Sequence, residues 1–256
     1  MKKKSIIFFF TLITIFGTIY FHTNTLSVTH HQISLGHGNK KLRLAHITDL
    51  HTKGMNYLEE QLTVALKQEN PDIIVITGDL ANPSGTKEGY VSVLKELKAK
   101  KGVYLVQGNW EYWESIPDLK GILESSNIKN LTNQTIQIDQ DLWFVGFDDS
   151  EEGLPELNVI NSIPKSASKL ALFHSPAFFD KTADLIQLNL AGHTHGGQVR
   201  IPFFGPLWLP RGSGNYAMGW YEKEKSKLYV SRGIGTSILP IRFNCSPELA
   251  IIDINY

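Results

Sequence analysis

Polar side chains suited to binding a divalent cation follow several short apolar runs in this sequence. They are Asp49 and His51, Asp79, Asn109, His174, and His193 with His195. Residues two apart in an extended segment face the same side, so Asp49 and His51 can share one ion. His193 and His195 can do so if their loop curls around the site. Oxygen and imidazole ligation suits Mn, Fe, Co, Ni or Zn, whereas the single Cys245 cannot form a thiolate cluster.

This set of ligands is too large for one tetrahedral ion but suits two ions that share a carboxylate, and Asp79 is the natural bridge. Two such ions lower the pKa of a water between them, and the resulting hydroxide can attack a phosphorus atom. Each element alone has an ordinary structural explanation: Asp79 as part of a turn, Asn109 as an Asx turn, and His174 as a hydrogen-bonded core histidine. Their common placement after apolar runs favours a metal centre.

Strands are predicted for the apolar runs that precede these residues and for others like them. The runs cover residues 42–48, 72–77, 103–106, 142–147, 169–173, 187–190, 228–230 and 249–254. Between them, residues 57–68 and 91–98 place apolar side chains on one helical face. This alternation predicts an α/β domain with helices packed on sheet, and ligands in such folds bind beyond the carboxyl ends of the strands.

The order of the motifs carries a resemblance. They are Asp-Leu-His at 49–51, Gly-Asp at 78–79, Gly-Asn at 108–109, His174 and Gly-His-Thr-His at 192–195. From about Leu42 to Ile254 the chain resembles the calcineurin-like metallophosphoesterases. Within them it resembles the bacterial membrane-associated phosphodiesterase branch, through Gly-His-Thr-His-Gly-Gly-Gln at 192–198 and Ser-Arg-Gly-Ile-Gly at 231–235.

The resemblance implies an α/β (α+β) fold, a four-layer α-β-β-α sandwich with a dimetal site at the C-terminal ends of the strands. It also implies the division of ligands between the ions. One ion would be bound by Asp49, His51, Asp79 and His195, and the other by Asp79, Asn109, His174 and His193.

One position departs from the family pattern: Trp110 stands where the family usually has a histidine that protonates the departing oxygen or stabilises the transition state. General acid catalysis of this kind contributes about 10²- to 10⁴-fold. Its loss favours substrates whose leaving groups are stable anions, such as a phosphate or an aryl oxide. Glu111 could replace the acid only with a strongly raised pKa. Alternatively, Trp110 packs with Tyr112 and Trp113 as an aromatic cluster. Asn82 also replaces an aspartate that many relatives carry.

The segment from Arg200 to Trp220 places several aromatic and leucine side chains directly after the metal-binding histidines. We interpret it as an apolar segment that covers the edge of the site, which suggests a lipid-linked phosphoester as substrate. The alternative is that these side chains fill the core beneath a long loop. Arg200 and Arg232 are candidate substrate-binding residues, with Arg211 and Arg242 as further candidates for contacts with phosphate.

The N-terminus combines Lys2, Lys3 and Lys4 with an uncharged apolar stretch up to Phe21. We therefore predict an N-terminal membrane anchor or signal at 1–21, a linker at 22–41 and a metallophosphoesterase domain at 42–256. No Ala-x-Ala cleavage site follows, which favours an uncleaved transmembrane signal-anchor over a removed signal. The lysines should stay cytoplasmic and place the catalytic domain on the extracytoplasmic side of the cell membrane. A buried core helix is the remaining alternative.

Composition limits the functional classes further. The 256 residues carry equal numbers of basic and acidic side chains, 25 of each, so no basic field for binding nucleic acid is expected. The predicted function is a dinuclear metal-dependent phosphoester hydrolase, a phosphodiesterase or pyrophosphatase acting on a membrane-associated substrate. The alternatives are a metal-binding scaffold with little turnover and a phosphomonoesterase.

Overall fold

Strands form where the sequence carries its apolar runs, and the computed structural model of the chain arranges them in two six-stranded sheets. The structure describes residues 2–36, 38–113, 116 and 118–256, with side chains from residue 7 onward. The helices are α1 (Lys2–Asn24), α2 (Tyr57–Glu69), α3 (Lys87–Leu94), α4 (Trp110–Trp113), α5 (Leu119–Ser125) and α6 (Phe179–Thr182). The strands are β1 (Ser27–Ser34), β2 (Lys41–Ile47), β3 (Ile73–Thr77), β4 (Val103–Val106), β5 (Ile128–Asn130), β6 (Gln134–Asp139), β7 (Leu142–Gly146), β8 (Ser168–Leu172), β9 (Leu188–Ala191), β10 (Arg200–Ile201), β11 (Gly205–Pro206), β12 (Gly219–Lys223), β13 (Ser226–Val230) and β14 (Glu248–Asn255).

The two large sheets are mostly parallel. The first has the order β1-β14-β2-β3-β4-β5, in which β14 is antiparallel to β2 and the other neighbours are parallel. The second has the order β12-β13-β9-β8-β7-β6 and is parallel from β13 to β7, with antiparallel edge strands β12 and β6. Because β2, β3 and β4 run together in one sheet and β8 and β9 in the other, the loops that follow them can meet at one edge of the sandwich.

Three layers of apolar side chains hold the sandwich together. Leu62 of α2 and Ile122 of α5 pack on the outer face of the first sheet. Phe144 lies between the sheets, and Phe147 lies on the opposite face with Phe179 of α6. This arrangement confirms the four-layer α-β-β-α sandwich. The outer layer on the second sheet consists of α6 and the 3₁₀ segments Leu157–Ser162 and Pro176–Phe178.

Residues 22–41 do not form the predicted linker, and this interpretation is corrected by the structure. They contain the end of α1 and strand β1, which pairs in parallel with β14. The strand was missed because it lies at the edge of the sheet, where Ile33 is its one buried position and the other side chains are mostly polar. The second predicted helix also begins earlier, at Lys87, because the Thr86 side chain accepts a hydrogen bond from the Gly89 amide and caps it.

Helix α1 leaves the domain as an exposed apolar rod. Its window Ile7–Asn24 has a mean hydropathy of 1.4, is long enough to cross a membrane, and is 0% buried within the protein. The hydroxyls of Thr11, Thr14 and Thr18 donate to carbonyls four residues earlier, so these polar groups are satisfied inside the helix. The exposure excludes the buried core helix that was the alternative, whereas an anchor and a signal sequence both fit the length and composition.

Candidate metal centre

The candidate ligands all lie just beyond strand ends. Asp49 and His51 follow β2, Asp79 follows β3, Asn109 follows β4, His174 follows β8, and His193 and His195 follow β9. These strands belong to both sheets, and the structure brings their C-terminal loops together at one edge of the sandwich. Each of these side chains is buried.

The backbone after the strands is bent into an unusual conformation. Asp49, His51, Asp79, His193 and His195 all have positive φ angles, between 42° and 70°. Non-glycine residues seldom adopt this region, and such strain persists where surrounding contacts fix it, typically at functional sites.

Close packing of the loops also restricts the glycine that precedes Asp79. A Cβ at Gly78 would lie 2.6 Å from the Gly108 Cα and 2.7 Å from the His174 Nδ1. Glycine is therefore required here for the loops after β3, β4 and β8 to approach one another.

One group of ligand atoms is formed by Asp49, His51, Asp79 and His195, whose atoms lie within 4.8 Å of one another. The His195 Nε2 is 3.3 Å from the Asp49 Oδ1 and 3.2 Å from the His51 Nε2. The His51 Nε2 is 3.6 Å from the Asp79 Oδ2. Two carboxylates and two imidazole nitrogens therefore surround a common point.

A second group shares Asp79 and adds His174, His193 and Asn109. The His174 Nε2 lies 3.3 Å from the Asp79 Oδ2, 3.0 Å from the His193 Nδ1 and 3.0 Å from the Asn109 Oδ1. Because both groups use the same Asp79 oxygen, this carboxylate is placed to bridge two cations.

The donor atoms fit cations better than they fit one another. A ring nitrogen holds at most one proton, so the His174 Nε2 can donate to only one of the three acceptors around it. The His51 and His195 Nε2 atoms face each other in the same way. A cation at the centre of each group would satisfy all of these lone pairs, and divalent ions with oxygen and imidazole ligands match this donor set.

Burial keeps three of the four ligand imidazoles in the neutral form that binds metal. It lowers the pKa of His51 and His193 to about 4 and that of His195 well below its ordinary value. Burial acts to raise the pKa of Asp79, but the charge and hydrogen bond of His174, together with His51 and His193, outweigh it and lower that pKa. Burial acts to lower the pKa of His174, but the Asp79 carboxylate beside it raises that pKa well above its ordinary value. Burial raises the pKa of Asp49 to about 7. Because cation binding requires neutral imidazoles and ionised carboxylates, it has to displace the protons that these two groups favour in the absence of a cation.

Comparison with known proteins agrees with this geometry. A sequence model of the family described as "Calcineurin-like phosphoesterase" matches residues 42–197. The chain belongs to this family. It is 28% identical over 249 residues to the uncharacterized metallophosphoesterase YkuE of Bacillus subtilis, covering 91% of this chain and 86% of YkuE. It is 26% identical over 227 residues to the phosphodiesterase YaeI of Escherichia coli, covering 83% and 82% of the two chains.

A solved structure shares the fold. The dimetal phosphatase from Danio rerio superposes with a TM-score of 0.51 at 12% identity, covering 75% of this chain and 88% of that one. Family membership and the buried Asp/His cluster together identify the chain as a metal-dependent phosphohydrolase with two divalent metal ions as cofactors.

Glu111 stabilises the loops around the metal centre of this calcineurin-like phosphoesterase without lining the cavity. Its carboxylate accepts backbone N–H groups from Asp79 at 3.0 Å, Leu80 at 2.8 Å and Gly108 at 2.7 Å. It thus ties together the loops after β3 and β4. Burial raises the pKa of Glu111 to about 7, but its oxygens are directed at these amides and it does not line the cavity at the metal centre. The structure thus places Glu111 as a support for the two loops. The role of substitute acid stays a prediction, which the raised pKa favours and the contacts with the amides do not.

Trp110 faces the metal centre and does not form the predicted cluster with Tyr112. Its backbone N–H donates to the Asp79 Oδ1 at 2.9 Å, and its ring packs edge-on against His51 with centroids 4.4 Å apart. Trp110 and Trp113 both line the cavity. Tyr112 turns away, and its hydroxyl donates to the Asp148 carboxylate at 2.5 Å.

The arginines proposed as phosphate contacts have other partners. Arg232 forms an ion pair with Glu248 at 3.3 Å, and Arg200 donates to the Gly196 carbonyl at 2.7 Å. Neither lines the cavity. Their assignment as substrate-binding residues is therefore not supported, because both guanidinium groups are engaged in fixing loops.

Arg242 is completely buried beside the metal centre. Its guanidinium donates to the Gly235 carbonyl at 2.6 Å, the Arg232 carbonyl at 2.9 Å and the His195 carbonyl at 3.3 Å. Arg242 thus holds the His195 loop in place.

Arg211 is exposed, and its backbone carbonyl accepts a hydrogen bond from the His193 Nε2 at 2.5 Å.

An apolar cavity of about 450 Å³ opens beside the metal centre. Its walls include Leu207, Trp208, Ile238, Leu239 and Ile241. The first two belong to the apolar segment that the sequence predicts after the histidines, whereas the loop at 237–241 has no such signal in the sequence.

Gln198 connects this loop to the metal centre and was also missed as a functional residue. Its side chain donates to the Leu239 carbonyl at 2.6 Å and accepts from the Ser237 amide at 3.1 Å. The motif Gly-His-Thr-His-Gly-Gly-Gln contained Gln198, but its partners lie about 40 residues away and have no local signal.

Proposed function

We propose that this phosphohydrolase cleaves a phosphodiester or pyrophosphate bond in a membrane-associated substrate that carries a lipid or other apolar group. The observation that supports this most is the apolar cavity next to the ligand cluster. A substrate whose phosphorus lies at Asp79, Asn109, His193 and His195 would have its apolar portion against Leu207, Trp208 and the 238–241 loop.

The proposal assigns one cation to Asp49, His51, Asp79 and His195. It assigns the other to Asp79, Asn109, His174 and His193. Bound divalent cations supply Lewis acidity that activates a water molecule and neutralises charge on the phosphoryl oxygens.

The chain's own residues place and shield the phosphoryl group in this scheme. Asp79 would be shared by the two cations, and Glu111 and Arg242 hold the loops that carry Asp79 and His195. Trp110 lines the Asp79 side of the cavity, with its ring against His51.

Diesters are favoured over monoesters by the charge of the cavity, and pyrophosphates are favoured by their leaving group. Among the described residues that line it there is no arginine or lysine, so a monoester dianion would find no further positive side chain. The titratable groups lining it, Asp79, His193 and His195, are all assigned as ligands. None is free to protonate a poor leaving group, which favours leaving groups that are stable as anions.

The test uses the full-length protein in detergent with Mn²⁺ and three substrates: bis(p-nitrophenyl) phosphate, p-nitrophenyl phosphate and a lipid-bearing pyrophosphate. We expect the diester and the lipid-bearing substrate to be hydrolysed faster than the monoester. Faster monoester hydrolysis would favour a phosphomonoesterase, and no hydrolysis of any of them would favour a metal-binding scaffold.

The Trp110→His variant tests the missing acid. We expect it to accelerate hydrolysis of substrates with alkoxide leaving groups, by up to about 10²-fold, and to leave bis(p-nitrophenyl) phosphate hydrolysis nearly unchanged. An unchanged ratio between the two substrate types would show that protonation of the leaving group does not limit this enzyme.

The proposal also places the domain on the extracytoplasmic side of the cell membrane, with α1 as the anchor and Lys2 to Lys4 in the cytoplasm. In intact cells, a membrane-impermeant thiol reagent should label a Lys225→Cys variant, whose site is exposed in the β12–β13 turn. Labelling only after permeabilisation would place the domain in the cytoplasm.

A further inference from the structure

A group of large apolar side chains is exposed beside the mouth of the cavity. We call this group the apolar rim: Phe203, Phe204, Ile238, Leu239 and Ile241. Phe203 is fully exposed, Phe204 is 87% exposed and Ile238 is 79% exposed. Several large exposed apolar side chains grouped on two neighbouring loops mark a surface that contacts something else.

The backbone presents one of these side chains in a conformation that bulky residues seldom adopt. Phe203, at the tip of the β10–β11 hairpin, has a φ of 69°. A relaxed turn with a small residue would serve a hairpin that only connects strands. This turn therefore keeps a bulky, exposed side chain at its tip at a cost in backbone strain.

The two loops of the rim are held together as one surface. Gln198 donates to the Leu239 carbonyl at 2.6 Å, and its own carbonyl accepts from the Phe243 amide at 2.9 Å. The Arg200 amide, at the start of the β10–β11 hairpin, donates to the Phe243 carbonyl at 3.0 Å. The hairpin and the 237–241 loop therefore share a common backbone support at residues 242–244.

The C-terminal end of α1 contacts the same support. The Arg242 amide donates to the Thr23 hydroxyl at 2.8 Å, and the Asn244 amide donates to the His22 Nδ1 at 2.8 Å. The His22 and Phe243 rings lie edge to face with centroids 6.2 Å apart. The exposed apolar rod thus joins the domain within a few residues of the rim.

This contact fixes where the rim would lie if α1 crosses a membrane. A helix rises 1.5 Å per residue, so a span of residues 7–24 ends at the bilayer surface near His22 and Thr23. Groups hydrogen-bonded to these two residues lie at that surface too. We propose that the apolar rim inserts into the leaflet at which α1 ends, so that the cavity mouth opens directly onto lipid.

The continuity between rim and helix favours the bilayer over a second copy of the chain as the occupant. Ile238, Leu239 and Ile241 are exposed at the rim and also line the cavity. An acyl chain leaving the bilayer would therefore contact apolar side chains all the way to the metal centre. This inference rests on the proposed membrane-associated substrate and adds the route by which it enters.

The first test measures depth in the membrane with the full chain in vesicles of phosphatidylcholine and phosphatidylglycerol. A bimane label is attached to the Phe204→Cys variant. The matched control is the Lys225→Cys variant, whose label lies just before the N-terminal end of β13, in the β12–β13 turn. The natural Cys245 is buried, and the unsubstituted chain reports any background labelling. Doxyl-labelled lipid should quench the label at position 204 and not at position 225. Equal quenching at both positions, or none at position 204, would overturn the proposal.

The second test separates docking from chemistry. Neither Phe203 nor Phe204 lines the cavity, so the double substitution Phe203→Asn and Phe204→Ser should leave bis(p-nitrophenyl) phosphate hydrolysis unchanged. It should reduce hydrolysis of a lipid-bearing substrate in vesicles several-fold, and Lys225→Ser should reduce neither. Loss of both activities in the double variant would show a structural role and overturn the docking proposal. Failure of the unsubstituted chain to hydrolyse any diester would instead overturn the proposed function.

Discussion

The metal centre and the apolar rim depart from the usual rules of folding in opposite ways. At the centre, carboxylates and imidazoles are buried close together on a bent backbone. At the rim, phenylalanine and isoleucine side chains are exposed to solvent. Each arrangement is unfavourable for the chain alone. Cations account for the first, and lipid is the partner that we propose for the second. Such local departures are expected at functional sites.

The largest effect should follow from removing the carboxylate shared by both ligand groups. We expect Asp79→Asn to lose activity on bis(p-nitrophenyl) phosphate by at least about 100-fold, since even indirect supporters of metal ligands contribute about 10- to 100-fold. Metal analysis of the purified protein should show reduced cation content. Asp141→Asn, at an exposed carboxylate, is the control and should change neither. Full metal content in Asp79→Asn would contradict the bridging assignment.

Arg242 tests whether the centre depends on buried support. Arg242→Met leaves several buried carbonyls without a donor, and we expect it to lower the free energy of unfolding by about 3 kcal/mol. The control is Arg211→Met, whose side chain is 91% exposed and paired with Glu151. A surface pair of this kind contributes about 0–1 kcal/mol. Urea denaturation of the two variants measures the difference, and equal midpoints would refute the supporting role of Arg242.

His46 gives the fold a dependence on pH that is separate from the metal ligands. Burial lowers its pKa to about 3, below the ordinary 6.5, so the unfolded chain binds this proton first as the pH falls. Its contribution to stability is therefore present above about pH 6.5 and is lost progressively toward pH 3, at up to about 1.4 kcal/mol per pH unit.

Unfolding measured between pH 4 and 7 checks this contribution. The slopes for His46→Gln and His46→Phe should both be shallower than that of the unsubstituted chain, whatever each variant does to overall stability. Parallel curves would mean that His46 does not titrate in this way.

The strength of the sequence signals explains which parts could be predicted. The central strands read as continuous apolar runs because both of their faces are buried, and the metal-binding candidates follow them directly. The edge strand β1 contains His30, His31 and other polar residues and therefore reads as a linker. The roles of Glu111, Gln198 and Arg242 depend on partners distant in sequence, and no local pattern specifies such contacts.

The smallest effect is expected at the rim, where the same substitution can be compared in two environments. Phe204→Ala should change the free energy of unfolding by less than about 0.5 kcal/mol, because its side chain is already 87% exposed. Phe147→Ala, in the buried layer outside the second sheet, should lower it by about 3–5 kcal/mol.

The same pair of variants, compared by denaturation in detergent and in lipid vesicles, sharpens the contrast. A side chain that contacts only the bilayer should become important to stability only when lipid is present, whereas the effect of Phe147→Ala should be similar in both. If Phe204→Ala were as destabilising in detergent as Phe147→Ala, the rim would be part of the folded core, and its exposure would need another explanation.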